Sequence, residues 1–211
     1  MDIRAQYGHE HAFPRMTVGV MGSAGGNIPD DVMERVRTFG AQVARRGYVL
    51  VTGAAPGIPH AAVLGAKYAG GFVVGVSPAL NFRQHVEEYH SPTRGYDVLV
   101  YTGSGLMGRE IENIRTCDVV VFAAGRSGTL GEFAIAYDES KVIGILADSG
   151  GISDHIEEIV RIVNKTTGAR VIKETDPSQL LDKLEEAYRD FVLPDYLQAL
   201  DGHHPDGQLE P

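Results

Sequence analysis

The 211 residues carry 43% hydrophobic and 22% charged side chains, a globular balance sufficient for one domain with a sizeable core. A formal net charge of -9 argues against blanket binding of nucleic acid, which needs a basic face, but leaves room for a local cationic pocket. The single cysteine excludes a disulfide framework, and no apolar run approaches the roughly 18 residues of a membrane-spanning helix.

Residues 1–16 read as an irregular arm, polar and lacking the apolar core of a signal peptide, so a cytoplasmic protein is expected. Thr17–Met21 is a short apolar strand that runs into Gly22-Ser23-Ala24-Gly25-Gly26. A helix follows from Pro29, with Val32, Val36, Phe39 and Val43 on one face, acids early and Arg45 and Arg46 late, as the helix dipole prefers. Tyr48–Thr52 is a second strand, followed by the turn Gly53-Ala54-Ala55-Pro56-Gly57 and a small-residue helix over 59–70. Phe72–Val76 is a third strand, Phe82–Tyr89 a short helix, and Asp97–Tyr101 a fourth strand. A helix over 107–116 leads into the continuous apolar run 118–122, beside which Cys117 reads as a small buried residue. The remaining elements are a helix from Thr129 to Glu139, a strand Val142–Leu146, a helix Ile152–Lys165, a strand Arg170–Ile172 and a helix capped by Asp176-Pro177.

This alternation predicts an α/β fold: a Rossmann-like, open, mostly parallel sheet with helices on both faces, in a single domain over 17–195 followed by a disordered tail over 196–211. Ligands in such sheets sit at the carboxyl ends of the strands, where strand order reverses. The glycine-rich stretches 22–26, 53–57, 103–108 and 125–128 all follow strands and are expected to converge on one rim.

Five groups of residues are candidates for that rim. Gly22, Ser23 and Gly25 suit either nucleotide contact or a plain tight turn; no lysine follows in the P-loop position. Gly125, Arg126, Ser127, Gly128 and Thr129 offer backbone N–H groups and hydroxyls at a helix start, a ready anion site. Glu132 has two readings: a carboxylate for chemistry, or the third position of a capping box with Thr129 as its cap. Arg109 stands near a helix start, where it opposes the dipole, and so suggests a ligand role; Asn113 on the same helix could line the cleft. Gly53, and His60 next to the second turn, complete the set. No metal is expected, because the histidines lack ligand spacing, and no serine-hydrolase elbow is present.

The run Ala124-Gly125-Arg126-Ser127-Gly128-Thr129-Leu130-Gly131-Glu132 resembles the Pro-Gly-Gly-x-Gly-Thr-x-x-Glu motif of the LOG family, formerly labelled lysine decarboxylase. Arg109 matches the arginine of the family's Arg-Lys pair, whereas Glu110 replaces its lysine, Ala124 its proline and Arg126 its second glycine. The resemblance covers roughly residues 17–165 and implies a Rossmann-like fold. It also implies phosphoribohydrolase activity on nucleoside 5′-monophosphates, with the 5′-phosphate at Gly128-Thr129 and with Glu132 and Arg109 catalytic. Glu132, near a helix N-terminus, is expected to stay ionised, which suits that role better than acid work. No cofactor is required by it, and a homo-oligomer, commonly a dimer, is implied. The wider superfamily also contains molybdenum cofactor carrier proteins, so a non-catalytic carrier or sensor of a nucleotide or phosphorylated cofactor is the alternative. DNA-processing relatives share the fold, but the acidic charge argues against that role here.

Overall fold

The computed structural model describes residues 14–201. The elements are β1 (Thr17–Gly22), α1 (Asp30–Arg45), β2 (Val49–Thr52), α2 (Ile58–Tyr68), β3 (Phe72–Ser77), α3 (Phe82–Glu87), β4 (Val98–Tyr101), α4 (Gly105–Arg115) and β5 (Val119–Ala123). They continue with α5 (Ser127–Asp138), β6 (Val142–Leu146), a 3₁₀ turn (Gly151–His155), α6 (Ile156–Val163), β7 (Arg170–Glu174), α7 (Pro177–Ala187), a π turn (Tyr188–Val192) and α8 (Leu193–Leu200).

All seven strands pair in parallel, in the order β4-β3-β2-β1-β5-β6-β7. Every residue of β5 and β6 is buried, as strands covered on both faces must be. Alternate β5 residues serve two cores. Val119, Val121 and Ala123 join Val36, Phe39 and Leu180 of α1 and α7; Val120 and Phe122 join Ile114, Phe133 and Ile156 of α4, α5 and α6. Helices therefore flank the sheet on both sides. Two glycines let α1 and α2 touch backbone to backbone: a Cβ at Gly40 would lie 2.1 Å from the Ala62 carbonyl oxygen, and one at Gly65 1.9 Å from that of Arg37.

Strand order reverses between β1 and β5, where Gly22 pairs with Ala123. A crevice opens at such a point because successive connections leave to opposite sides.

Several boundaries differ from those expected. The helix expected over Ile152–Lys165 is split into a 3₁₀ turn and α6, which ends at Asn164 in a left-handed conformation. The last strand extends to Glu174. Residues 196–200, expected in the tail, are helical: Tyr196 donates a hydrogen bond to Asp118 and meets the Tyr188 ring edge-on at 6.5 Å, docking α8 on the sheet. Residues 1–13 of the expected arm and 202–211 of the expected tail lie outside the described residues. No helix of the described residues is long and apolar enough to cross a membrane.

Candidate functional site

The turns after β1 and β2, the start of α5 and the second turn of α4 close around a cleft of about 290 Å³ at the β1/β5 reversal. Gly22, Ser23, Gly53, Arg109, Arg126, Ser127, Gly128, Thr129 and Glu132 line it, with Met21, Ala24, Pro59 and Glu110 among their neighbours.

Gly53 permits a close approach. A Cβ there would lie 2.0 Å from Arg109 Nη1, so only a glycine lets the guanidinium pack across the β2 turn. Arg109 is 7% exposed, and its Nη1 reaches Glu132 Oε1 at 3.4 Å. That is one long contact where a bidentate pair would be shorter and doubled. Arg109 Nε and Asn113 Oδ1 are buried without a partner among the described residues.

Helix α5 starts two residues before Thr129, with Arg126 at the cap position and no side chain capping it. The expected Thr129–Glu132 capping box is therefore absent. The chain turns at Ala124 and Gly125, with φ 52 and 102, and enters the helix at once; the Thr129 side chain folds back over Gly125. The first helical bond runs from Leu130 N–H to the Arg126 carbonyl, so the N–H groups of Ser127, Gly128 and Thr129 precede the ladder. Arg126, Ser127 and Gly128 are exposed, and Arg126 makes no ion pair among the described residues.

Ala124 and Gly125, just before the cap residue Arg126, are clamped from both sides. Ser23 Oγ accepts from Gly125 N–H at 3.0 Å, and Ser149 Oγ accepts from Ala124 N–H at 2.8 Å. Ser153 donates to the Ala124 carbonyl through both its hydroxyl, at 2.6 Å, and its N–H, at 3.0 Å. The Gly125 N–H, expected to face a ligand, is thus already engaged.

Glu132 lies a turn deeper in the helix than a capping residue would. Burial pushes its carboxyl up to about 7; Arg109 opposes that rise, Glu110 adds to it, and the Asn113 amide opposes it. Burial thus works against the ionised carboxylate expected near the helix start, because desolvation disfavours the charged form. Glu110 lies along the same helix: a Cβ at Gly128 would be 3.3 Å from its Oε1, and one at Gly131 3.1 Å from its Oε2. Burial raises its pKa as well, against the pull of Arg109.

Other candidates lie elsewhere. Helix α4 begins at Gly105, so Arg109 stands in the second turn and is not the dipole-opposing residue expected. Gly25 does not line the cleft, and a Cβ there would meet nothing within 4 Å. His60 points away from it, bonding the Arg94 carbonyl at 3.0 Å and stacking on Tyr96. Asn113 lies behind the lining with its Nδ2 on Met21 Sδ at 3.1 Å. The turn at 103–108 does not join the rim; Gly103 packs against Leu80. Cys117 is fully buried and burial pushes its thiol well up, as for an unreactive core residue. Among the described residues, no group of three His, Cys, Asp or Glu could hold a metal.

The clamped α5 turn and the buried Arg109–Glu132 pair occupy the same stretch in which sequence comparison finds a family match. The SLOG cluster4 family model matches residues 15–181. The chain belongs to the SLOG cluster4 family. It is 28% identical over 131 residues, 62% of this chain and 80% of the relative, to an uncharacterized protein of Archaeoglobus fulgidus. Among solved structures it is similar to TM1055, with TM-score 0.71 and 25% identity over 81% of this chain and 99% of that one. The molybdenum cofactor binding protein of Rippkaea orientalis is similar at TM-score 0.68 and 26% identity, over 82% of this chain and 98% of that one.

Proposed function

We propose that this SLOG cluster4 protein binds a small phosphorylated ligand, a nucleotide or a phosphorylated cofactor, and carries or senses it without breaking it down. The observation that carries the reading is the open start of α5. Three N–H groups precede the helical ladder there, no side chain caps them, and the exposed Arg126 stands beside them. Such a helix start binds phosphate through its N–H groups and its partial positive charge. Arg109, whose Nε has no partner among the described residues, forms the cationic floor of the same cleft. The likeness to a molybdenum cofactor binding protein supports a carrier.

The buried Glu132–Arg109 pair favours a second reading, hydrolysis of a nucleoside 5′-monophosphate. Water would add to the anomeric carbon as the carbon–nitrogen bond breaks, releasing base and ribose 5-phosphate. A carboxylate stabilising the positive charge on that sugar must be ionised. Burial raises the Glu132 carboxyl to about 7, so it is only part-ionised at neutral pH, and with the Glu110 carboxyl beside it this favours holding over hydrolysis.

The natively purified full chain should retain or take up an intact phosphorylated ligand by native mass spectrometry. Incubation with adenosine 5′-monophosphate should release no adenine by chromatography. Adenine release that Glu132→Ala abolishes would replace the carrier with the hydrolase; binding of no phosphorylated compound would sink both. We place the protein in the cytoplasm, in keeping with its single buried cysteine. We also propose that it self-associates through the outer face of α4, where Leu106 and Met107 are 56% and 82% exposed.

A further inference from the structure

A second depression, of about 350 Å³, lies on the other side of the α5 start. Leu130, Ile152 and His155 form its walls, and Gly125 and Gly151 lie between them. Arg126 and Ser127 line both this depression and the main cleft. The two cavities therefore meet at the first turn of one helix. Each is near or below the lower end of the roughly 300–1,000 Å³ range of small-molecule sites, so either alone holds little more than one ring system and a sugar.

Charge divides the helix start unequally. The Glu110 carboxylate runs along Gly128 and Gly131 on the cleft side and repels anions there. Arg126, exposed and without an ion-pair partner among the described residues, attracts them to the rim that the cavities share. Arg109, whose side chain is 9% exposed and whose Nε has no partner among the described residues, draws anionic charge toward the same rim from within the main cleft. An anion bound on the α5 N–H groups is thus best placed between the cavities, with room for an organic group on either side.

Resting on the phosphate site proposed above, we infer that the ligand is two-ended: a diphosphate-bridged molecule of the dinucleotide class. Its diphosphate lies over Ser127 and Arg126, one end in the main cleft and the other against Leu130 and Ile152. The apolar walls of the second depression suit the flat face of a heterocycle, and Arg126 can stack on it as well as pair with the diphosphate.

Isothermal titration of the full chain with di(adenosine-5′) diphosphate, which carries a heterocycle at each end, and with adenosine 5′-monophosphate tests this. The two-ended probe should bind about tenfold tighter or more, the gain expected when a second apolar group is buried. Leu130→Ala, at a position 38% exposed, should remove that gain without adding charge and leave monophosphate binding unchanged. His155→Ala, on a side chain 66% exposed, should reduce the gain by removing another wall of the second depression and serves if Leu130→Ala does not fold. Equal affinity for the two probes, or a gain that survives both substitutions, would overturn the two-ended ligand while leaving the phosphate site standing. Failure of both probes to bind would overturn this inference together with the phosphate site.

Discussion

Burial raises the Glu132 carboxyl to about 7 although Arg109 lies 3.4 Å away. The consequence for stability has a definite sign. The folded-state pKa, about 7, lies above the ordinary value of 4.5, so between those pH values the native state binds more protons than the unfolded chain. Stability contributed by the protonated carboxyl is complete below the unfolded value and is lost as pH rises toward the folded one, by up to about 3 kcal/mol. Glu132→Gln removes the titration and also leaves Arg109 without its carboxylate, a cost that does not vary with pH. Denaturant melts of both proteins across this range should therefore show wild-type stability falling relative to the variant as pH rises. Parallel profiles would mean that Glu132 is ionised throughout. Sequence could point to Glu132 but not to this environment. Thr129 and Glu132 have capping spacing, and only the turn at Ala124–Gly125 starts the helix early enough to break the box. The packing of Arg109 was equally hidden, because it depends on Gly53, a residue remote in sequence that comes within reach only when β2 and α4 fold together.

The elements around the site divide into what apolar pattern specifies and what cross-chain hydrogen bonds specify. The run Val119–Phe122 followed by small residues and an apolar-periodic helix was legible as strand, turn and helix, and so was the placement of the first and second turns at one rim. The clamp that the 149–153 segment forms on the α5 turn was not. Its serines have no spacing that marks them, and their partners lie more than twenty residues away. The clamp predicts an order of effects. Ser149→Ala removes the acceptor of a buried Ala124 N–H and leaves it unsatisfied, at a cost of about 1–3 kcal/mol. Ser153→Ala removes one of two donors to the Ala124 carbonyl, which keeps the Ser153 N–H, so the loss should be about 1 kcal/mol or less. Chemical denaturation of the two variants measures both. A larger loss for Ser153→Ala would show that the 124–125 turn is not held mainly through the Ala124 N–H. Phosphate affinity should fall with Ser149→Ala, because the α5 start it positions carries the N–H groups.

Across the whole molecule, 28 acidic against 19 basic residues set a repulsive field around a small attractive site. The two act over different distances. The field reaches about 30 Å at 0.01 M salt and about 8 Å at physiological strength, whereas the contact between a phosphate and the α5 start acts within the first turn of the helix. Adding salt therefore removes repulsion first and weakens the contact less. A monophosphate should bind with an affinity that is flat or slightly higher as salt rises over that range. Binding of single-stranded DNA would behave in the opposite way, since each phosphate neutralised by a basic face releases counterions and affinity falls steeply with salt. The chain has no surplus of basic residues to supply such a face. Fluorescence anisotropy with a labelled oligothymidylate should show no binding even at the lowest salt, while titration of the monophosphate at low and physiological salt should agree within about threefold, under 1 kcal/mol. A steep loss of monophosphate affinity with salt would mean that cations other than Arg126 and Arg109 dominate the site, and the phosphate would then have to be sought away from the start of α5.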